Sequence, residues 1–382
     1  MLSISIVIVS YRVKFFLEQT LRAVQEALDV HTAREEGSAQ PFGYEIMVVD
    51  NHSGDDTVPF VKARFPHVKF IENKDNVGFA RANNQAIMQA RGEYTIILNP
   101  DTIVTPQCIG DCMAWMRSHP ECGAIGLRMV DGNGHFLPES KRAFPTPWVS
   151  FCKIFGLSKI FPRSRWFAKY HLRFLSEDEP HAVDILSGAC MFCRTSLLQR
   201  IHGFDEDFFM YGEDIDLSYR ITREGYRNFY LPVSMLHYKG ESTKKDSVRY
   251  VRVFYQAMLI FYRKHFPGFG RVMYPFVKLG VWGRQSLAMA CRHSQGKGQP
   301  ADCRAGWVIL SQHPQEVARV ARVQTYSTAI PPSGTAHVLL DDASLNYQQI
   351  VDTIDEHARK GLFFHIFSSR NGIVISPKMC FS

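Results

Sequence analysis

The stretch YTIILNPDT, Tyr94 to Thr102, decides how the chain folds. Thr95 to Leu98 reads as a strand buried on both faces, the pattern of a central strand in a parallel sheet. The run then stops on Asn99, Pro100 and Asp101. In open α/β sheets ligands gather beyond the carboxyl ends of the strands, so Asp101 is a candidate for ligand or metal binding.

Working outward, the first hundred residues alternate strand and helix. Ile4 to Ser10 is a strand and Phe15 to Leu28 has helical apolar spacing. YEIMVVDNHS is a second buried strand with a polar end, Thr57 to Phe65 a helix, and VKFIEN a third strand. NVGFARANNQAIMQARG is a loop entering a helix that Gly92 closes as a C-cap. Such alternation predicts a parallel sheet with helices on both sides. Gly123 to Met129 and Ile185 to Cys193 read as further strands, the latter followed by a helix from Ser196.

Past Gly240 the pattern turns helical through Arg292, and HSQGKGQPADCRAG has a linker composition. WVILS, AHVLLDD, LFFHIFS and NGIVISP are strand-like, with Tyr347 to Arg359 helical. The predicted organisation is therefore a main domain over 1–240, halved at 125/126, a basic aromatic helical extension over 241–292, and a linker over 293–305. A small α/β domain over 306–382 follows, in which no chemical constellation stands out.

With 382 residues, 46% of them hydrophobic, the chain has material for more than one core and is not disordered. The N-terminus lacks a basic region and a long apolar stretch, and reads as strand one rather than a signal peptide. Nine cysteines form no ladder of metal spacings; the lone CxxC, CMFC at Cys190 to Cys193, lies among small apolar residues and reads as buried strand. A reducing, cytoplasmic setting is expected.

The net charge of +7 is concentrated: Lys141 to Arg173 holds eight basic residues and no acidic one, interleaved with Phe144, Trp148, Phe161 and Trp166. A second basic, aromatic region spans Arg249 to Arg292. Three readings apply: nucleic acid, an anionic membrane surface, or the solvated faces of ordinary helices. The segment RVMYPFVKLGVWGRQSLAMACR is broken by Pro275, Lys278 and Arg284, and suits lying on a membrane better than crossing one.

Polar residues end three strands: Ser10 and Tyr11; Asp50, Asn51 and Ser53; Asn99 and Asp101. Any one such tail is also a turn former, but three on a single sheet edge point to a nucleotide crevice. NVGFARANN supplies Gly78 for close backbone approach and Asn76, Arg81 and Asn83 as donors, although Arg81 is equally readable as solvated. Neither a P-loop nor a GxGxxG is present, which disfavours a dehydrogenase-type site. GFDEDFFMYGEDIDLSYR threads Asp205, Glu206, Asp207, Glu213, Asp214 and Asp216 among aromatics. Desolvation there raises carboxyl pKa values and suits one of them to general base work; the acids also favour a helix start. His237, in MLHYKGEST, is a structural histidine or, beside Asp101, part of an oxygen and nitrogen site suited to Mn²⁺ or Mg²⁺.

IVIVSYR, VVDNHSGDDT, NVGFARANN, LNPDT, GFDEDFFMYGEDIDLSYR and LHYKGEST stand in the order seen in family 2 glycosyltransferases, and the chain resembles that family over roughly residues 3–265. The likeness is to the bacterial rhamnosyltransferase-like branch of inverting enzymes that build cell-surface polysaccharide. The resemblance implies a GT-A type mixed sheet flanked by helices, with a Rossmann-like nucleotide-binding half. It further implies a nucleotide-diphosphate sugar donor, a glycan acceptor on a lipid carrier at the inner face of the plasma membrane, peripheral membrane contact, and a divalent cation. Asp50 would read the nucleobase, with Ser10, Tyr11 and Asn51 lining the pocket and Ser53, Asn76, Gly78, Asn83 and Asn99 completing the donor site. Asp101 would hold the metal with His237, Asp214 would deprotonate the acceptor, and Gly188, Asp205 and Glu213 would border it. The usual Asp-x-Asp is here Asn99-Pro100-Asp101, one carboxylate fewer. The competing readings are a sugar-nucleotide-binding protein without catalysis and a nucleic-acid-binding protein. Strand-end carboxylates, which repel phosphates unless a metal intervenes, count against the latter.

Overall fold

The computed structural model describes residues 2–35, 41–146, 148–149, 152, 157–161, 163–239, 248–266, 306–331, 334–377 and 379–381. Four parallel strands begin it: β1 (Ile4–Ser10), β2 (Tyr44–Asp50), β3 (Lys69–Glu72) and β4 (Tyr94–Leu98), linked by helices α1 (Lys14–Arg34), α2 (Thr57–Arg64) and α3 (Phe79–Ile87). β1 is buried along its whole length, as a strand without polar alternation must be when both faces are covered. It pairs Ser10 with Asp50 on β2, and Ile8 with Leu98 on β4. Parallel pairing thus brings the polar ends of all three strands to one edge.

The sheet continues through β5 (Thr102–Ile103), α4 (Pro106–Ser118), β6 (Cys122–Val130), β7 (His181–Val183), β8 (Cys190–Arg194), α5 (Thr195–Arg200), α6 (Glu213–Arg223) and β9 (Arg227–His237). Nine strands stand in the order β3-β2-β1-β4-β8-β6-β9-β5, with β7 against β9. β8 is antiparallel to β4 and β6, whereas β9 is parallel to β6 and antiparallel to β5. This is the mixed sheet flanked by helices that the resemblance implied. Pro232 lies inside β9 because the register slips there, Leu127 facing Leu231 and Arg128 facing Ser234, so the residue lacking an N–H sits in a bulge.

Several local expectations differ. α3 ends at Ile87, five residues short of Gly92, and Gly92 instead lets the chain cross β1: a Cβ there would lie 2.5 Å from Ser5 N. Of Ile185 to Cys193 only the end is β8; Ile185 forms an isolated bridge with Arg142, and the intervening turn carries Gly188. Cys190 and Cys193 are in the core and burial pushes both thiols up, which makes them inert.

The basic, aromatic regions are partly internal. Lys141 is buried and its Nζ donates to the carbonyls of Leu175 (2.6 Å) and Ser176 (2.5 Å). α7 (Val248–His265) turns Ala257 and Phe261 into a cluster with Ile185, Phe208 and Ile215, so this aromatic face packs on the protein instead of lying open. The segment from Arg271 to Arg292 lies outside the described residues. Among the described residues, no helix is long and apolar enough to cross a membrane.

A second, six-stranded sheet is formed by β10 (Gly306–Leu310), β11 (Tyr326–Ser327), β12 (Ala336–Asp341), β13 (Leu362–Ser368), β14 (Ile373–Ser376) and β15 (Met379–Phe381), in the order β11-β10-β12-β13-β14-β15. Helix α8 (Pro314–Val320), which the sequence reading passed over, follows β10, and α9 (Tyr347–Glu356) follows β12. α9 starts on a full capping box: Asn346 accepts from Gln349 N at 2.8 Å and Gln349 Oε1 accepts from Asn346 N at 3.0 Å.

Candidate active site

Beyond the ends of β1 and β2, Asp50 is buried and accepts from Ser53 twice, at Oδ2 from N (3.0 Å) and at Oδ1 from Oγ (2.5 Å). Asp50 therefore has the turn chemistry its segment offered, at the buried end of β2. Ser53 Oγ also accepts from Arg12 N at 2.9 Å, and the Arg12 guanidinium lies over the half-buried Tyr11 ring, 5.2 Å from its centre. Ser10 Oγ is buried with no hydrogen-bond partner, a hydroxyl left for a ligand or water. Asn51 holds the next loop: its Oδ1 accepts from Val77 N (3.0 Å) and Asn73 Nδ2 (3.2 Å), and its Nδ2 donates to Asn76 Oδ1 (3.0 Å).

That loop brings Gly78 to φ +88°, where an added Cβ would lie 2.8 Å from the Phe209 ring and carbonyl oxygen. Phe79 N donates to Phe209 O at 2.9 Å, tying the loop to the acidic segment. Asn83 is fully buried in α3, its Nδ2 on Phe79 O (2.9 Å) and its Oδ1 unpartnered. Arg81 is exposed, as its solvated reading expects, and its Nε meets Glu206 at 3.0 Å.

Asp101 and His237 meet through strand pairing. β5 sets Thr102 opposite His237, and Tyr238 N donates to Asp101 O at 3.1 Å. His237 Nε2 lies 3.4 Å from Asp101 Oδ1 and 3.5 Å from Asn99 Nδ2, and both Asp101 and His237 are buried. Among the described residues no group of three or more His, Cys, Asp or Glu gathers as a metal cage. One carboxylate and one imidazole would suit a divalent cation that draws its remaining ligands from phosphate oxygens and water.

Asn99 N donates to Ala189 O at 2.9 Å, and the neighbouring Gly188 N donates to Asp214 Oδ2 at 3.3 Å, so β4's end reaches the acidic helix through one turn. Asp214 sits in the first turn of α6, where Oδ1 accepts from Ile215 N at 2.8 Å. Its Oδ2 pairs with Arg142 Nη2 at 2.5 Å, and Arg142 also donates to Leu186 O at 2.6 Å. Burial works against the Arg142 charge, but Asp214 outweighs it and raises the guanidinium pKa. Glu213 is buried with Oε2 unpartnered; burial and the Asp214 charge push its pKa up to about 8. The acid pair thus divides into a Glu213 that burial keeps protonated near neutral pH and an Asp214 held by arginine.

The rest of the acidic segment is held by ion pairs. Asp205 and Asp207 both pair with Lys264, and buried Asp216 takes Arg220 Nε and His265 Nε2 at 2.6 Å each. α7 thereby clamps this segment from above. Near His237, Lys239 Nζ meets Glu139 at 2.5 Å; burial opposes the Glu139 charge, yet Lys239 and Arg142 draw its pKa down to about 2. The sequence reading missed Arg142 and Glu139 as site residues. Arg142 counted only as one charge in a basic run, and no spacing links it to a carboxylate 72 positions away.

Residues 5–201 match the description glycosyl transferase family 2. The chain is 29% identical over 238 residues to an N-acetylglucosaminyl-diphospho-decaprenol L-rhamnosyltransferase of Mycobacterium tuberculosis, covering 59% of this chain and 76% of that one. It is 27% identical over 194 residues to a poly-beta-1,6-N-acetyl-D-glucosamine synthase of Staphylococcus aureus, covering 50% of this chain but only 42% of that longer protein. A mannosyltransferase structure from Pyrobaculum calidifontis aligns over 77% of this chain and 76% of its own, at 17% identity and a TM-score of 0.45. The family match takes in just over half of the residues and includes the ends of β1, β2 and β4: this chain is a glycosyltransferase of family 2.

Proposed function

We propose that the chain transfers a sugar, rhamnose or a similar hexose, with inversion, from a nucleotide-diphosphate donor to a hydroxyl of a lipid-linked glycan in cell-surface polysaccharide synthesis. The observation that carries this is the short run of contacts and one peptide link from Asp101 and His237 through Asn99, Ala189 and Gly188 to Asp214, which joins a candidate diphosphate end to a candidate base. The relative named as acting on a diphospho-decaprenol glycan supports the acceptor class.

In this reading Ser10, Tyr11, Asp50, Asn51 and Ser53 hold the nucleoside, with Asn76, Gly78, Asn83 and Asn99 lining the donor path. Asp101 and His237 hold a divalent cation, Mg²⁺ or Mn²⁺, which when bound neutralises charge on the leaving diphosphate. Asp214 takes the proton of the acceptor hydroxyl as its oxygen bonds to the sugar's anomeric carbon. The bond to the diphosphate breaks on the opposite face and its electron pair leaves with the phosphate. Arg142 fixes the aim of Asp214, neutral Glu213 avoids a second charge beside it, and Gly188 and Asp205 border the acceptor.

Asp214→Asn is expected to lower turnover by about 10²-fold or more while calorimetric donor binding is kept; near-normal turnover would remove Asp214 from the role. In parallel, Asp101→Ala should weaken donor binding only when Mn²⁺ is present, and equal wild-type affinity with and without chelator overturns the cation assignment. A screen of nucleotide sugars by thermal shift identifies the donor.

Peripheral attachment at the inner membrane face is part of the proposal. Trp148 (47% exposed), Phe161 (48%) and Trp166 (75%) stand open beside exposed Arg163, Arg165, Lys169 and Arg173. Apolar rings next to cations suit an anionic bilayer surface. Trp166→Ala with Arg163→Glu should reduce co-sedimentation with anionic vesicles; no binding by the unaltered protein would refute attachment.

A further inference from the structure

Nothing in the proposed reaction uses residues 306–381, yet they are not loosely appended. One hydrophobic cluster contains Val338, Leu340, Tyr347 and Ile350 of this unit together with Phe16 and Ala23 of α1, Ile103 of β5, and Leu236 and Tyr238 at the end of β9. Ile103 lies two positions after Asp101, and Leu236 and Tyr238 flank His237. The small unit's core therefore rests directly against the two strands that bring Asp101 and His237 together.

Polar contacts fix the same joint. Asp355 on α9 accepts from Arg128 on β6 at 2.6 Å and from Ser234 on β9 at 2.6 Å, three positions before His237. Asn371 donates to Glu18 of α1 at 2.6 Å, Tyr347 N donates to Glu26 of α1 at 2.9 Å, and Arg22 of α1 lies 3.4 Å from Asp342. α1 in turn reaches the site: the buried Thr20 hydroxyl shares its proton between the carbonyls of Pro100 (2.9 Å) and Thr102 (2.7 Å) and accepts from Thr102 N (3.2 Å). Asp101 sits between the two residues that Thr20 holds.

We propose that the C-terminal α/β unit is a brace that sets the spacing of Asp101 and His237, acting through β9 on one side and through α1 and Thr20 on the other. Asp355, Tyr347 and Ile350 are then positioning residues. The inference rests on the proposed cation role of Asp101 and His237 only for its functional consequence; the mechanical coupling stands apart from it.

Hydrogen exchange on the full chain separates the two. In Asp355→Ala, and in the gentler Ile350→Val should the first fail to fold, peptides covering 99–105 and 234–238 should exchange faster than in the parent protein. Mn²⁺ affinity by calorimetry should fall roughly tenfold for Asp355→Ala, the scale on which outer supports of a metal site act. Leu198→Ala, in a separate core cluster, is the control for general destabilisation and should leave both peptides and Mn²⁺ affinity unchanged. Faster exchange confined to 306–381, or the same response in Leu198→Ala, overturns the brace. Absence of Mn²⁺ binding by the parent protein overturns the cation reading, while the exchange data still decide the brace.

Discussion

Glu213 and Asp214 are adjacent in sequence yet live in different electrostatic settings. Asp214 has Arg142 and two backbone N–H groups around its oxygens, whereas Glu213 Oε2 has none. Because the folded protein raises the Glu213 pKa to about 8, first by burial and then by Asp214, the folded state holds a proton that the unfolded chain releases near its ordinary 4.5. The associated stabilisation is complete below that ordinary value and is lost as pH climbs through about 8. Glu213→Gln, a neutral isostere, should lack this loss, so its melting temperature should gain on the parent protein steadily from pH 5 to pH 8 and level off above. A constant difference across that range would show that Glu213 is ionised throughout.

At the scale of elements, the loop before α3 is fixed by Asn51 and pressed against Phe209, which joins the proposed donor side to the acidic segment. Gly78 permits the contact through its positive φ and its missing Cβ. Gly78→Ala is expected to cost about 2 kcal/mol or more in denaturant unfolding, from the left-handed strain and the collision with a backbone carbonyl together. Donor binding should weaken as well, since the same loop carries Asn76. The bulge at Pro232 is the counterpart in β9: it absorbs a residue unsuited to a ladder and still delivers His237 opposite Thr102.

For the molecule as a whole, the second unit carries its own pH dependence. His365 bonds to His337 at 2.9 Å and to Ser376 at 2.6 Å; burial, then the neighbouring His337, lowers its pKa to about 4. A depressed histidine contributes stability that is full above its ordinary 6.5 and is lost as pH falls toward 4. Thermal unfolding of the parent protein should therefore weaken from pH 6.5 to pH 4 more steeply than that of His365→Gln. Parallel slopes would place the acid sensitivity elsewhere.

The sequence alone determined the alternation of buried strands and helices, the polar strand ends at Ser10, Asp50 and Asp101, and the family likeness. These are local or ordered along the chain: burial on both faces imposes an apolar run, and parallel strands necessarily end on one edge. Tertiary structure decided which charges are interior. Lys141 and Arg142 looked like part of a basic surface, but one satisfies two carbonyls and the other fixes Asp214, contacts closed across 34 to 72 residues. Aromatic α7 looked fit for a membrane and packs instead on the acidic segment, since its amphipathic pattern specifies an apolar partner without saying which. The position of residues 306–381 against β5 and β9 was equally illegible, because a hydrophobic surface encodes only that it must be covered, and its partner is set by the shape of the assembled core.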